Sequence, residues 1–193
     1  MSGQIIGRAA TSLSGDTRWA TNAGTVSAGT RGEAATAYVL NQMAGSTEIT
    51  VMHDVRVPIR GMSINIDHVV IASNRVMLID SKSWKPGFLW TFGGKTRRGF
   101  QPFAACDKKS VQMAQEAFTA YLSMYDVHLT VPVVVVWPSR REGKVSLWAA
   151  TFPSARLVHG AALERFVRRA VPVKKQADPR IVERIRGSLR SSR

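Results

Sequence analysis

This sequence predicts an α/β domain with a mixed central sheet flanked by helices, and three observations carry that expectation. Segments with helical and strand periodicity follow in the order helix, three strands, helix, strand, then further helices. Residues 131–137, VPVVVVW, form a continuous β-branched run, the pattern of a strand buried on both faces. A chain of 193 residues that is 45% hydrophobic can bury one substantial core.

Residues 1–29 are rich in Gly, Ser, Thr and Ala without periodicity and read as a flexible arm. In 31–43, RGEAATAYVLNQM, good helix formers place Ala34, Ala37, Tyr38 and Asn41 on one side, and Gly45 marks a stop. The stretch 48–59 alternates and is rich in Val and Ile, so it is a strand that Pro58 closes. Two more strands, 63–72 and 75–84, flank a tight turn at Ser73, Asn74 and Arg75, which predicts a hairpin. Residues 86–101 contain four glycines and alternate Phe88, Trp90 and Phe92, fitting either an edge strand or a substrate-facing loop. Over 104–125 the stripe Val111, Ala114, Phe118, Tyr121 and Leu122 is helical. After the strand at 131–137, residues 145–152 read as one more strand, and 160–170 and 178–190 as helices. The organisation is an arm at 1–29, a core domain at 30–152, and basic C-terminal helices at 153–193 that pack on or extend the core.

Charge narrows the function. Lys and Arg number 27 against 13 Asp and Glu, a net charge of +14. An excess of that size favours polyanions, because neutralising phosphates releases condensed counterions. Residues 165–193 alone carry ten basic and two acidic side chains. A second basic group, Lys82, Lys85, Lys95, Arg97, Arg98, Lys108 and Lys109, lies in the middle of the chain. No apolar run approaches the ~18 residues of a membrane span, and no basic-then-apolar leader opens the sequence. One cysteine, Cys106, allows neither an internal disulfide nor a cysteine zinc cage. The expected setting is the cytoplasm of a bacterial or phage-infected cell, without a membrane partner.

Acidic residues are scarce, so their placement carries information. Asp67 and Asp80 fall inside strongly apolar strands, where a carboxylate costs several kcal/mol unless paired or bound to a metal. Asp80 and Lys82 are two apart, so both leave one face of their strand. With a turn at 73–75, Asp67 comes opposite Asp80, and two carboxylates can face one hard cation. Mg²⁺ suits such a site because it keeps several waters and accepts a phosphate ligand, and Mn²⁺ should substitute. The ion would polarise a phosphate and acidify a water. Lys82 can orient or help deprotonate that water, or stabilise developing charge. Glu33 can supply a further carboxylate, although a helix start also favours an acid there.

In this order the residues resemble a known family. Gly32-Glu33 opening a helix, then Ile66-Asp67-His68, then Asp80-Ser81-Lys82 with Trp84, are similar to the nuclease-related domain called NERD, of the PD-(D/E)XK nuclease-like superfamily. The likeness spans about residues 30–137. It implies a restriction-endonuclease-like core in αβββαβ order and a DNA phosphodiester hydrolase with Glu33, Asp67, Asp80 and Lys82 as its catalytic set. The family's helix glutamine falls at about Gln112, with Lys108, Lys109 and Gln115 as competing candidates on the same helix. The sequence departs from the pattern at Asp80, where the family more often has Glu, and at Gln101-Pro102-Phe103, which stands well before Gln112.

Lys85, Lys95, Arg97, Arg98, Lys108 and Lys109 are the expected contacts to DNA, whether duplex, single-stranded or branched. His68 is a further site residue that could touch phosphate or orient Asp67. Two alternatives stay open: a Holliday-junction resolvase or restriction-type enzyme acting as a homodimer, and a basic DNA-binding module without cleavage. His53, His128 and His159 lack metal-ligand spacing. The aromatics near residue 90 could stack on bases, although core or edge packing is the commoner use.

Overall fold

The computed structural model of the chain describes residues 2–9, 23–57, 65–106, 110–140 and 142–188. In chain order its elements are β1 (Gln4–Ile6), α1 (Ala23–Ser46), β2 (Thr50–Arg56), β3 (Asn65–Ala72), β4 (Arg75–Trp84), β5 (Gly87–Phe92), β6 (Lys95–Arg98) and β7 (Gln101–Pro102). There follow α2 (Ser110–Tyr121), β8 (His128–Leu129), β9 (Val133–Pro138), β10 (Val145–Ala149), β11 (Arg156–His159), α3 (Leu163–Ala170) and α4 (Pro179–Arg186). The main sheet runs β1-β2-β3-β4-β9-β11, with β8 beside the start of β4. It is mixed: β2, β3 and β4 are antiparallel, whereas β1, β9 and β11 join in parallel.

Strand periodicity explains how this sheet is covered. In β9, Val133 and Val135 pack with Leu40 and Met43 of α1 and Leu163 and Val167 of α3. Val134 and Val136 face the other way, into a cluster with Trp84, Leu89 and Val145. The β-branched run is therefore buried on both sides, as its composition required. On that second face, Val69, Ile71 and Leu78 meet Ala114 and Phe118 of α2 and Ile181 and Ile185 of α4. Each such aliphatic side chain contributes about 1.5–3 kcal/mol of transfer free energy on burial.

The hairpin between β3 and β4 pairs Ala72 with Arg75, and Ser73 takes a left-handed φ of 53° in its turn. The C-terminal segment is tied to this turn. Ser73 donates to the Gln176 carbonyl at 3.1 Å and accepts from the Asp178 amide at 2.9 Å. Asp178 then caps α4 by accepting the Arg180 amide at 2.9 Å, with Pro179 in the first turn. The two C-terminal helices thus pack on the core.

Several local expectations change. Within the residues read as a loose arm, Gln4–Ile6 forms a strand beside β2, and α1 starts at Ala23; residues 10–22 lie outside the described residues. The buried stripe of α1 is Glu33, Thr36, Ala37, Leu40, Met43 and Ala44, so Tyr38 is 66% exposed rather than inward. The stripe is rotated because Gly32 and Glu33 meet the sheet, as described below. Residues 86–101 are neither a lone edge strand nor a loop. They form β5, β6 and β7, which with β10 make a second, four-stranded sheet in the order β10-β5-β6-β7. Residues 160–170 begin with a 3-10 turn after β11, and the helix proper starts at Leu163. Pro58 and residues 189–193 lie outside the described residues.

Candidate active site

The site forms where the β3–β4 ladder ends. Its last paired residues are His68 and Ile79. Carried one residue further, the register sets Asp67 opposite Asp80, as expected from the turn. No ladder pair joins them; instead Asp67 Oδ2 accepts the Ser81 backbone N–H at 2.6 Å. Two residues along β4, Lys82 leaves the same face as Asp80. The β9 neighbours of Asp80 and Lys82 in register are Val134 and Val136, so an apolar wall flanks the charged pair.

Charge in this corner is only partly balanced. Lys82 Nζ lies 2.6 Å from Asp80 Oδ2. That oxygen is buried, and the Lys82 ammonium is the group that holds it. Burial lifts the Asp67 carboxyl well above its ordinary range, and the Asp80 and Glu33 charges push the same way, against Lys82 and the Ser81 amide. Burial pulls Lys82 down, but Asp80, Asp67 and Glu33 together outweigh it, and its pKa is raised. Lys82 is therefore a fixed cation at neutral pH.

Helix α1 brings Glu33 to this corner. Gly32 sits so close to β4 that a Cβ there would lie 3.3 Å from Ser83 Cβ and 3.5 Å from the Lys82 carbonyl carbon. One turn on, Thr36 fastens the helix. Its hydroxyl donates to the Gly32 carbonyl at 3.1 Å and accepts from Ser81 Oγ at 2.9 Å and Trp137 Nε1 at 2.8 Å. These bonds link α1 to β4 and β9 beside the buried Glu33.

His68 points to the α1 side of the sheet, away from Asp67. Its Nδ1 lies 2.8 Å from His53 Nδ1, and His53 Nε2 lies 2.9 Å from Asn41 Oδ1. An amide oxygen accepts, so His53 carries its proton on Nε2 and takes the His68 Nδ1–H on its other nitrogen. His68 Nε2 is then left buried without an aligned partner. Burial lowers the His53 pKa to about 4. Burial and the His53 charge hold His68 well below its ordinary value, against the backbone of Glu33.

Among the described residues no three His, Cys, Asp or Glu side chains are arranged to hold a metal ion. The donors in this corner are the two aspartates. As paired oxygen donors they fit a hard divalent cation that keeps most of its waters, because Lys82 and the Ser81 amide offset only part of the burial and repulsion that raise Asp67.

The other expected residues divide. Lys85 and Arg98, with Arg140 and Glu142, line a cleft of about 320 Å³ beside the end of β4. Lys95 and Arg97 lie instead on the outer side of the second sheet, exposed. Gln112 is in the first turn of α2, and its amide donates to Glu116 Oε1 at 3.0 Å. Lys108 and Lys109 lie outside the described residues. Sequence reading missed Thr36, Asn41, Ser81 and Arg140, which have no spacing signature. It also passed over Asp54, an acidic residue inside a strand whose register puts it in the same row as Asp67 and Asp80. Its left-handed φ of 54° brings its carboxylate to Asn65 Nδ2 at 2.7 Å.

Among known proteins, the family described as Nuclease-related domain, NERD, matches residues 28–137, more than half of the chain. No curated protein and no solved structure matches it.

Proposed function

The chain belongs to the nuclease-related domain family, and from that premise we propose that it hydrolyses phosphodiester bonds in DNA with Mg²⁺, or Mn²⁺ in its place, held by Asp67 and Asp80. The observation that carries this reading is that the strand register brings Asp67 opposite the buried Asp80, with Lys82 ion-paired to Asp80 at 2.6 Å and a basic cleft at the end of β4. A protein that only bound DNA would gain from losing carboxylates that repel phosphate.

When bound, the cation would polarise the scissile phosphate and acidify a coordinated water. Lys82, beside Asp80, would orient or help deprotonate the attacking water, or stabilise charge developing on the phosphoryl oxygens. Glu33 adds a negative charge that Lys82 and Asp67 both feel. Lys85, Arg98 and Arg140 hold the backbone beside the cut. The family likeness gives Gln112 a water- or phosphate-positioning role, and its amide here donates to Glu116 Oε1.

A cleavage assay tests this on supercoiled, linear and branched DNA with Mg²⁺, Mn²⁺ or EDTA, alongside Asp80→Ala and Lys82→Ala. Cutting that needs the metal and is lost in both variants upholds the proposal. A preference for four-way junctions by a dimer would select the resolvase reading. Equal DNA binding by all three proteins with no cutting would replace the enzyme with a binding module.

A further inference from the structure

The second sheet presents a face that the site does not use. Along β5, Leu89 and Thr91 alternate inward with Thr96 of β6, and Leu89 packs with Trp84, Val134 and Val136. Phe88, Trp90 and Phe92 take the opposite face, about 6.6 Å apart along the strand. On the same face the register sets Arg97 across from Trp90 and Lys95 across from Phe92. Arg97 lies over the Trp90 ring at 5.9 Å. From β10, Trp148 adds a ring 5.4 Å from Phe88.

These rings are open to solvent: Phe92 is 81% exposed, Trp148 84%, and Phe100 on the β6–β7 turn 95%. Four of the eight large exposed hydrophobic side chains among the described residues, all Phe or Trp, belong to this sheet or that turn. A folded chain rarely leaves so much aromatic surface uncovered without a partner.

We propose that this face binds a single-stranded segment of the nucleic acid, with unpaired bases stacking on Phe92 and on the Phe88–Trp148 pair. The inference rests on the nuclease reading and names its substrate class: DNA with an unpaired flank. Three observations select this occupant. Arginine and lysine are interleaved with the rings on one face, which matches a chain that alternates phosphates with flat bases. Duplex DNA hides its base faces, so exposed rings gain little from it. The sheet also adjoins the site along the chain, because β4 carries Lys82 and Lys85 joins it directly to β5, with the rings on the face opposite Arg98 and its cleft.

The test reads binding without cleavage. Fluorescence anisotropy in EDTA, at fixed salt, compares a short labelled single strand with its duplex for the native chain and a Phe92→Ala/Trp148→Ala variant. Both positions are exposed, so an unchanged thermal transition verifies that the variant folds. The expected result is tighter binding of the single strand by the native chain, and a loss of about tenfold or more in the variant that exceeds its loss on duplex. Single strand should also quench tryptophan emission less in Trp148→Ala than in the native protein. Equal losses on both DNAs, or none, would overturn the proposal, as would uptake by anionic vesicles or a native dimer that the double variant dissociates. If the single strand binds as expected but nothing is cut with Mg²⁺, the enzyme reading fails and this one stands.

Discussion

The Asp67 carboxylate accepts the Ser81 amide at 2.6 Å, one residue beyond the last rung of the β3–β4 ladder. A side chain thereby takes the bond that continued pairing would have made, and the two strands can hold two carboxylates between them. The amide lowers the Asp67 pKa, yet burial and the neighbouring negative charges raise it further, and the net shift is well upward.

That shift predicts a stability effect. A carboxyl whose folded pKa is raised binds its proton more readily when folded, so its contribution is present below the ordinary carboxylate range and lost as pH rises through the folded value. At neutral pH in EDTA, Asp67→Asn should therefore raise Tm, by about 2–4 °C for each kcal/mol relieved in a chain of this size. The same variant should lose the Tm gain that Mg²⁺ or Mn²⁺ gives the native protein. Thermal melts in EDTA and in metal decide; a lower Tm for the variant in EDTA would mean that Asp67 is held mainly by structural bonds.

Gly32→Ala separates stability from activity. Alanine gains about 0.5–1 kcal/mol of helix propensity over glycine. Its Cβ would lie 3.3 Å from Ser83 Cβ, so α1 or β4 must move by a few tenths of an ångström. Melting should change by less than about 1 kcal/mol, while cleavage falls because the shift moves Lys82 relative to Glu33. Native cleavage rates in Gly32→Ala would show that the close approach is packing alone.

Much of this was legible in the sequence because it depends on period-two and turn rules. The hairpin at Ser73 fixes the register, and the register alone sets Asp67 opposite Asp80. β9 announced its two-sided burial through consecutive valines. The rotation of α1 was not legible, because Tyr38 and Ala37 look equally apolar in the sequence and only contact with β4 chooses the inward face. Thr36, Ser81 and Asn41 escaped for a related reason: short polar residues act here through partners far apart in the chain, such as Thr36 with Trp137. The second sheet was hidden because β5 finds β10 only after α2 and β9 have intervened.

Thr36 is the joint of that polar network. Thr36→Val keeps the volume but removes the acceptor for both the Ser81 hydroxyl and the Trp137 N–H. Leaving a buried donor unpaired costs about 1–3 kcal/mol. Tm should drop accordingly, and Thr36→Ser should restore most of it. Calorimetry on the two variants checks this, and a valine protein as stable as the serine one would remove Thr36 from its joining role.

The histidine pair predicts an acid limit. His53 has its pKa lowered to about 4 by burial, from an ordinary 6.5. Its neutral form is the folded one, so the unfolded chain binds more protons between these values and stability falls as pH drops from about 6.5 toward 4. Protonating His53 would also strip the acceptor from His68 Nδ1–H, 2.8 Å away, and set two N–H donors face to face between β2 and β3. The native protein should lose stability steadily over this window, by an amount on the order of 3 kcal/mol at its lower end. His53→Gln can still donate to Asn41 and does not titrate, so its Tm should vary less with pH across the same range, whatever its value at pH 7. Melting curves at several pH values for both proteins give the slopes. Parallel slopes would place the acid sensitivity in the carboxylates and clear the histidines of it.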